Sequence, residues 1–211
     1  MYYELLIEYN KVMNLTGITK KEDVYLKHFY DSLTIVKMID LNKEKTLCDM
    51  GTGAGFPGIV LKIFFPNLKV TLVDALNKRI KFLNEVICKL KLEKIETVHI
   101  RMEEYSRKNI EKFDVVTARA VAQMYFLLEI AIPMLKVGKY FIAMKGNLEN
   151  EIDYSYAIDR LNSNQINILK FKLPIEESDR TLVKIIKEKS TQKIFPRKYN
   201  EIIKKPLYIE K

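Results

Sequence analysis

The sequence predicts an α/β protein with a doubly wound, mostly parallel β-sheet and a helical appendage at its N-terminus. Three observations lead to this fold class. Short apolar strands alternate with helix-length amphipathic segments from Lys45 onward. A glycine-rich loop follows the first of these strands, as in folds that bind nucleotide cofactors. The 211 residues, of which 48% are hydrophobic, suffice for one sizeable core.

Two amphipathic helices are predicted ahead of the sheet. Residues 2–14 carry apolar side chains at helical spacing, namely Leu5, Leu6, Tyr9, Val12 and Met13. This helix begins inside its own apolar pattern, which indicates a shortened N-terminus. Residues 19–22, Thr-Lys-Lys-Glu, have the spacing of a capping box, and the helix that follows has an apolar side made of Val24, Leu26, Phe29, Leu33 and Val36. We expect residues 1–44 to form a helical cap within the same structural unit as the sheet.

The sheet is expected within residues 45–190. Strands are predicted at 46–50, 69–73, 96–100, 113–117 and 139–144, with helices at 57–65, 78–92 and 123–136. A helix at 147–162 and an antiparallel hairpin of strands 166–173 and 181–187 complete the domain. Ligands of such sheets bind outside the carboxyl ends of the strands. This rule brings the loop 51–58, Asp74, Met102, Glu103 and Arg119 to one edge.

Residues 46–58 contain two overlapping glycine patterns. G-x-G-x-x-G, starting at Gly53, is the fingerprint of dinucleotide binding, and D-x-G-x-G-x-G, starting at Asp49, is typical of enzymes that bind S-adenosylmethionine (SAM). Pro57 removes a backbone donor that a pyrophosphate needs, and Asp49 repels phosphates but suits a sulfonium cation. The loop therefore favours SAM, with an NAD(P)-dependent reductase as the alternative. Asp74 fits the acid that binds ribose in either class.

The net charge of +9 is concentrated near the C-terminus. Residues 184–211 hold nine basic and three acidic residues and so supply +6 of the total. We expect a basic tail at 191–211 that contacts RNA phosphates, with a merely solvated tail as the alternative. No apolar run is long enough to span a membrane, and residues 1–8 lack a secretion signal, so we expect a cytoplasmic protein without a membrane partner.

The cysteines and histidines support no metal site. Cys48 and Cys88 lie in apolar strand and helix patterns, and both are expected to be reduced core residues. His99 stands alone on a predicted strand, where it is expected to be structural. His28 and Asp31 are too close on one helix for a hydrolase triad, so we expect a polar ridge that faces the site or locks the N-terminal helix.

Eight motifs in order resemble the RsmG family, also called GidB, whose members methylate N7 of a guanine in small-subunit (16S) ribosomal RNA with SAM. They are NLT at 14–16, HFYDS at 28–32, DMGTGAGFPG at 49–58, KRxxFL at 78–83, RMEE at 101–104, ARA at 118–120, AMKG at 143–146 and PRK at 196–198. The resemblance covers nearly the whole chain and implies a Rossmann-like SAM-dependent methyltransferase fold. The family usually has a longer helical stretch before Tyr2, and it continues after PRK with glycine and proline, where this chain has residues 199–203.

The resemblance implies a set of site residues. The cofactor site is expected to comprise Gly51, Gly53, Phe56, Asp74, Ala75, Met102, Glu103 and Arg119, with Asp74 at the ribose and Met102 and Glu103 flanking the adenine. Contacts with RNA are expected from Arg101, Lys145, Arg180, Arg197 and Lys198. The lone pair of guanine N7 carries no proton, so methyl transfer needs no general base. Asp31, Asp49 and Lys145 are the candidates for catalytic residues.

The expected partner is small-subunit ribosomal RNA or the 30S subunit, and the protein is expected to act as a monomer. Two further functions remain open from the sequence. A SAM-dependent methyltransferase that acts on a small molecule or a protein fits the fold and the loop equally well. An RNA-binding protein without activity would not need the intact loop, Asp74 and Glu103.

Overall fold

The computed structural model describes residues 1–149 and 151–208. The described part contains a seven-stranded sheet in the order β3-β2-β1-β4-β5-β7-β6. The strands are β1 Thr46–Met50, β2 Lys69–Asp74, β3 Ile95–His99, β4 Phe113–Arg119, β5 Leu135–Lys145, β6 Ser163–Lys172 and β7 Asp179–Lys187. The first five strands are parallel, and β7 runs antiparallel to both β5 and β6. The predicted doubly wound sheet with a closing hairpin is therefore confirmed.

Helices cover both faces of the sheet. The α-helices are α1 Tyr2–Met13, α2 Lys21–Val24, α3 Asp31–Leu33, α4 Gly58–Phe64, α5 Asn77–Lys89, α6 Met102–Lys108, α7 Met124–Met134, α8 Ser155–Arg160 and α9 Tyr199–Lys204. A π-helical turn, Tyr25–Tyr30, joins α2 to α3, and a 3₁₀ turn, Thr34–Lys37, continues the same helical run. A further 3₁₀ turn at Leu41–Lys43 leads into β1.

The core consists of two apolar layers, one on each face of the sheet. Alternate residues of a strand point to opposite faces, so Leu47 joins the layer under α1, α4 and α5, whereas Cys48 joins the layer under α7 and α8. Leu6 of α1 is fully buried in the first of these layers. Ile202 of α9 is fully buried in the second layer. The N-terminal helices and the C-terminal segment are thus packed against opposite faces of the same sheet.

Several local predictions are wrong. The capping box at Thr19 does not form, since Lys20 precedes the helix and no side chain caps it. Val12 and Val36 lie on predicted apolar faces but are 80% and 45% exposed. Cys88 is exposed rather than buried, although Cys48 is buried and both thiols are free. The sequence did not predict α6, because its seven residues contain too few apolar positions for a periodic signal.

The C-terminal third differs in its boundaries. The helix predicted at 147–162 is shorter, with α8 covering only Ser155–Arg160, and Asn150 lies outside the described residues. The predicted tail at 191–211 contains the helix α9, and its residues 209–211 also lie outside the described part. No helix of the described ranges is long and apolar enough to cross a membrane. The same ranges hold no group of three or more His, Cys, Asp or Glu placed to bind a metal ion.

Candidate active site

Three adjacent cavities lie at the carboxyl ends of the parallel strands. The first, called the loop cavity, has a volume of about 430 Å³ and is bordered by Gly51, Gly53, Phe56, Asp74 and Arg119. The second, called the α9 cavity, has about 370 Å³ and is lined by Ala75, Met102, Glu103, Phe126, Tyr199 and Ile203 among others. The third, called the Asp31 cavity, has about 330 Å³ and is lined by His28, Asp31, Arg119, Lys145, Gly146 and Arg180 among others.

The loop cavity joins the other two. It shares Ala75, Met102 and Val121 with the α9 cavity. On its other side it shares three residues with the Asp31 cavity, namely His28 of the π-helical turn, Arg119 at the end of β4 and the following Ala120. The three cavities therefore adjoin one another in the cleft at the sheet edge that the sequence predicts as the ligand site.

Gly51 and Gly53 shape the wall of the loop cavity. Both have positive φ angles, 63° and 61°, which side chains disfavour. A Cβ atom at Gly51 would lie 3.1 Å from Val121 Cγ2, whereas a Cβ at Gly53 would meet no atom closer than 4.0 Å. Gly51 is thus needed for packing within the protein, and Gly53 leaves its backbone open towards the cavity. Such a cradle suits a ligand that approaches the backbone closely.

Asp74 holds the loop against the end of β2. Its Oδ2 accepts hydrogen bonds from Gly53 N at 3.0 Å and from Arg79 Nη1 at 3.1 Å, and its Oδ1 accepts one from Leu76 N at 2.9 Å. The residue is 3% exposed and lines the loop cavity. Arg79, five residues further along, neutralises its charge, so the carboxylate is fixed in position before any ligand arrives.

Asp49 lies behind the loop and not among the residues that line the loop cavity. Its Oδ2 accepts hydrogen bonds from Thr52 Oγ1 at 2.6 Å and from Gly58 N at 2.8 Å, and its Oδ1 is buried without a partner. Burial raises the pKa of Asp49 to about 7, against the effect of these hydrogen bonds. The position favours a role in holding the loop, so the sequence argument that its carboxylate faces a bound cation finds no support.

Arg119 occupies the junction between the loop cavity and the Asp31 cavity. Its Nη1 lies 3.4 Å from Asp31 Oδ2 and donates to Lys27 O at 3.2 Å, and its guanidinium lies 5.1 Å from the centre of the Phe56 ring. Burial lowers the pKa of Arg119, and the nearby carboxylates of Asp31 and Asp49 act in the opposite direction. Arg119 is therefore a desolvated cation between two cavities.

His28 links Arg119 to the segment before α2. Its ring stacks on Phe56 at 4.6 Å, and burial together with the charge of Arg119 lowers its pKa to about 4. The guanidinium has only donors, so Nδ1 of the neutral ring accepts from Arg119 Nη2 at 3.3 Å and Nε2 donates to Thr16 Oγ1 at 2.8 Å. Because Thr16 Oγ1 also accepts from Ile18 N, its own hydroxyl hydrogen is left for an acceptor elsewhere.

The Asp31 cavity contains one carboxylate held between two arginines. Asp31 Oδ2 lies 3.2 Å from Arg180 Nε and 3.4 Å from Arg119 Nη1. Burial raises the pKa of Asp31, and the two arginines oppose that effect. Lys145 also lines the cavity, but its ammonium is bound by Ala122 O and by Glu151 Oε1.

The other residues predicted to contact RNA are placed differently. Arg101 is exposed and lies 5.8 Å from the centre of the Tyr199 ring. Arg197 is turned inward, with Nε 2.7 Å and Nη2 2.6 Å from the two oxygens of the buried Glu129. Lys198 is exposed. A contact of Arg197 with RNA stays a prediction, and the geometry shows this side chain engaged within the protein.

Some residues that line the cavities were not in the predicted set. They are Thr16, Arg79, Phe126, Tyr199 and Ile203, together with His28, which was expected only as part of a polar ridge. Thr16 and His28 lie in two of the motifs noted above, which was a usable signal. Tyr199 and Ile203 carried none, since a tyrosine and an isoleucine in a basic segment do not indicate a cavity wall.

Comparisons with known proteins agree with this geometry. The model of the family GidB, described as rRNA small subunit methyltransferase G, matches residues 1–183. A ribosomal RNA small subunit methyltransferase G of Bacillus cytotoxicus is 48% identical over 202 residues, which cover 94% of this chain and 84% of that protein. One of Bacillus thuringiensis has the same identity and coverage.

Two solved structures share the fold. A SAM-dependent methyltransferase of Aquifex aeolicus superposes with a TM-score of 0.59 at 15% identity, covering 82% of this chain and 97% of that one. TYW2 of Pyrococcus horikoshii, in complex with MeSAdo, superposes with a TM-score of 0.59 at 14% identity, covering 75% of this chain and 62% of that one. At these identities the likeness shows the fold alone.

Proposed function

The chain belongs to the GidB family of small-subunit rRNA methyltransferases, and on this premise we propose that it transfers the methyl group of SAM to N7 of a guanine in small-subunit (16S) ribosomal RNA. The observation that carries the proposal is the row of three adjacent cavities that share lining residues. A cofactor in the α9 and loop cavities would have its reactive end at the entrance of the Asp31 cavity, where an acceptor base would lie.

The residues present fit SAM. The open backbone at Gly53 and the fixed carboxylate of Asp74 suit the aminoacyl and ribose parts, and Glu103 in the α9 cavity suits the adenine amino group. The desolvated Arg119 and the free hydroxyl hydrogen of Thr16 suit a carboxylate end. When bound, SAM supplies a methyl group on a positively charged sulfur. An NAD(P)-dependent reductase and a methyltransferase acting on a small molecule or protein are not favoured, because the family match concerns rRNA methyltransferases.

In this proposal the chain acts by orientation and charge. Guanine N7 has an in-plane lone pair and no proton, so no residue has to remove one, and alignment with the cofactor is the main contribution of the enzyme. Asp31 can accept hydrogen bonds from the N1 and 2-amino donors of guanine while Arg119 and Arg180 hold the carboxylate in place. As positive charge develops on the purine, the same carboxylate stabilises it.

Binding of the RNA itself requires exposed cations. Lys198 and the basic C-terminal region, together with Arg101 at the exposed rim of the α9 cavity, are proposed to contact phosphates, which give affinity with little sequence information. The target guanine must be unstacked to enter the Asp31 cavity. We propose that a monomer in the cytoplasm acts on the RNA, either protein-free or within the 30S subunit.

Transfer of labelled methyl from SAM tests this function. Small-subunit RNA is supplied both protein-free and as the assembled subunit, and the labelled base is identified after digestion. Gly53→Val, whose side chain would enter the loop cavity, controls for contaminating activity. Label on guanine N7 that depends on an intact Gly53 supports the proposal. Label on another atom, or no label although SAM binds, contradicts it.

A further inference from the structure

The helix α9 forms one wall of the α9 cavity. Tyr199 and Ile203 are four residues apart and so lie on the same side of the helix, and both line the cavity. Their side chains are 44% and 50% exposed, whereas Ile202 between them is fully buried in the core. The helix therefore presents two large apolar side chains towards a cavity and anchors itself with a third. A flat apolar ligand in the cavity would cover the two exposed side chains.

Arg197 ties both ends of α9 to the protein. Its side chain binds both oxygens of Glu129 on α7, and its backbone N donates to Glu129 Oε1 at 3.0 Å. Its Nη1 donates to the carbonyl of Lys205, directly after the helix, at 2.8 Å. Glu129 is fully buried, and its hydrogen bonds to Arg197 raise the pKa of the guanidinium. Removing the arginine would leave a buried carboxylate without its counter-charge.

The same helix α7 supplies the opposite side of the cavity. Phe126, about one turn before Glu129, lines the cavity and packs edge-to-face on Tyr199, with the ring centres 6.1 Å apart at 80°. Arg101 approaches Tyr199 from the loop after β3. Glu129 therefore fixes the position of α9 relative to α7, and Phe126 in the first turn of α7 lines the α9 cavity. Tyr199 contacts Phe126 of α7 and Arg101 of the loop after β3.

We propose that α9 closes the adenine pocket of the cofactor and that Arg197 is a positioning residue for cofactor binding. The inference rests on the proposed function, because it takes the α9 cavity as the part of the cleft that receives adenine. Two features of the cavity fit that ligand. Among the described lining residues Glu103 is the sole acid, which can accept from an exocyclic amino group, and Phe126 and Tyr199 offer aromatic surface to a planar ring.

This role for Arg197 differs from a contact with RNA. A guanidinium that grips phosphate needs free donors in a fork. In Arg197 the Nε, Nη1 and Nη2 atoms all bind acceptors of the protein, and the side chain is only 16% exposed. A lysine at this position would keep the charge but not the fork, so Arg197→Lys should behave like a loss of the residue.

The test measures binding of S-adenosylhomocysteine, the demethylated cofactor, by calorimetry. Tyr199→Ala and Arg197→Lys should each raise its Kd by about tenfold or more, and Tyr199→Phe should restore most of the affinity because the ring is retained. Asn200→Ala is the matched control, since Asn200 is exposed on the same helix and does not line the cavity. Its Kd should stay within about twofold of the unchanged protein. Thermal melts without ligand show which variants are folded.

Steady-state kinetics distinguish a specific effect on cofactor binding from a general loss of structure. In Tyr199→Ala the KM for SAM should rise about tenfold, while kcat at saturating SAM and the KM for RNA stay within about twofold. An unchanged Kd in folded Tyr199→Ala would overturn the inference, as would a higher KM for RNA alone in Arg197→Lys. If the unchanged protein does not bind S-adenosylhomocysteine at all, the proposed function itself fails, which is a distinguishable result.

Discussion

The hydroxyl of Tyr2 donates a hydrogen bond of 2.5 Å to the carbonyl of Ala54, which lies 52 residues further along the chain. The Tyr2 ring stacks on Phe29 at 5.2 Å and lies 5.5 Å from Phe56. A Cβ atom at Gly55 would come within 2.6 Å of the Tyr2 hydroxyl. The first helix is therefore fitted directly against the glycine loop that shapes the loop cavity.

Tyr2→Phe should weaken both the fold and cofactor binding. It leaves the buried carbonyl of Ala54 without its donor, which costs about 1–3 kcal/mol of unfolding free energy. The loop then loses one fixed point, so the Kd for S-adenosylhomocysteine should rise. Tyr3→Phe is the control, because the Tyr3 hydroxyl bonds to Thr19 O at an exposed site. Urea denaturation and calorimetry measure the unfolding free energy and the Kd of both variants. Equal values for the two variants would contradict the prediction.

Gly58→Ala should destabilise the protein by about 1–3 kcal/mol through overpacking. The new Cβ would lie 2.3 Å from Leu72 Cδ2 and 2.8 Å from Asp49 Oδ2, both of them buried. Gly17→Ala serves as the control, since a Cβ there would meet nothing within 4 Å. Thermal melts should show a loss of several degrees for the first variant and none for the second. Equal melting temperatures would mean that Leu72 moves away at little cost.

Asp31→Asn should lower methyl transfer to RNA without changing cofactor affinity. The amide keeps the shape of the side chain but not the charge, which lies between Arg119 and Arg180 and, in the proposed function, beside the acceptor base. We expect kcat to fall by at least about tenfold, because the compensating charge is lost in the transition state. Asp159→Asn, at an exposed position on α8, is the matched control. Single-turnover transfer with saturating SAM measures the effect, and an unchanged rate would remove Asp31 from the mechanism.

Asp49 should make the stability depend on pH in an unusual direction. Burial raises its pKa in the folded protein to about 7, above the value of about 3.9 expected for the unfolded chain. A group with a raised pKa contributes stability that is fully present below its unfolded pKa and is lost as pH rises through the folded pKa. The difference in unfolding free energy by which the unchanged protein exceeds Asp49→Asn should therefore shrink as pH rises. The decrease should reach up to about 1.4 kcal/mol per pH unit between pH 5 and pH 7.

Urea denaturation of both proteins at several pH values measures this difference. His28 acts in the opposite sense, because burial lowers its pKa to about 4, so its contribution is present above the unfolded pKa of about 6.5 and is lost as pH falls towards 4. In Asp49→Asn the opposite slope of His28 should become visible. If the difference in unfolding free energy between the two proteins does not vary with pH, Asp49 is ionised in the folded protein throughout the range from pH 5 to pH 7.

Much of the fold could be predicted because its signals are local. The five parallel strands, the glycine loop and the helices α1, α5 and α7 follow from the period of apolar residues, and each was predicted within a few residues. The sheet edge that collects Gly51, Asp74, Met102 and Arg119 follows from the rule for parallel sheets. One failure was local, since Lys20 rather than Thr19 precedes α2. The other was not, since the exposure of Cys88 depends on which side of α5 is packed against the sheet.

The sequence alone determined the fold class, the family and the position of the cofactor loop, because these depend on residues that are close together in the chain. The roles of individual charges were decided by tertiary structure. Arg197 belongs to a basic segment, yet it faces Glu129, 68 residues away, and Asp49 stands in a cofactor motif but lies behind the loop. A charged side chain acts through the partner it meets and the solvent it loses, and both are set only when distant segments pack together.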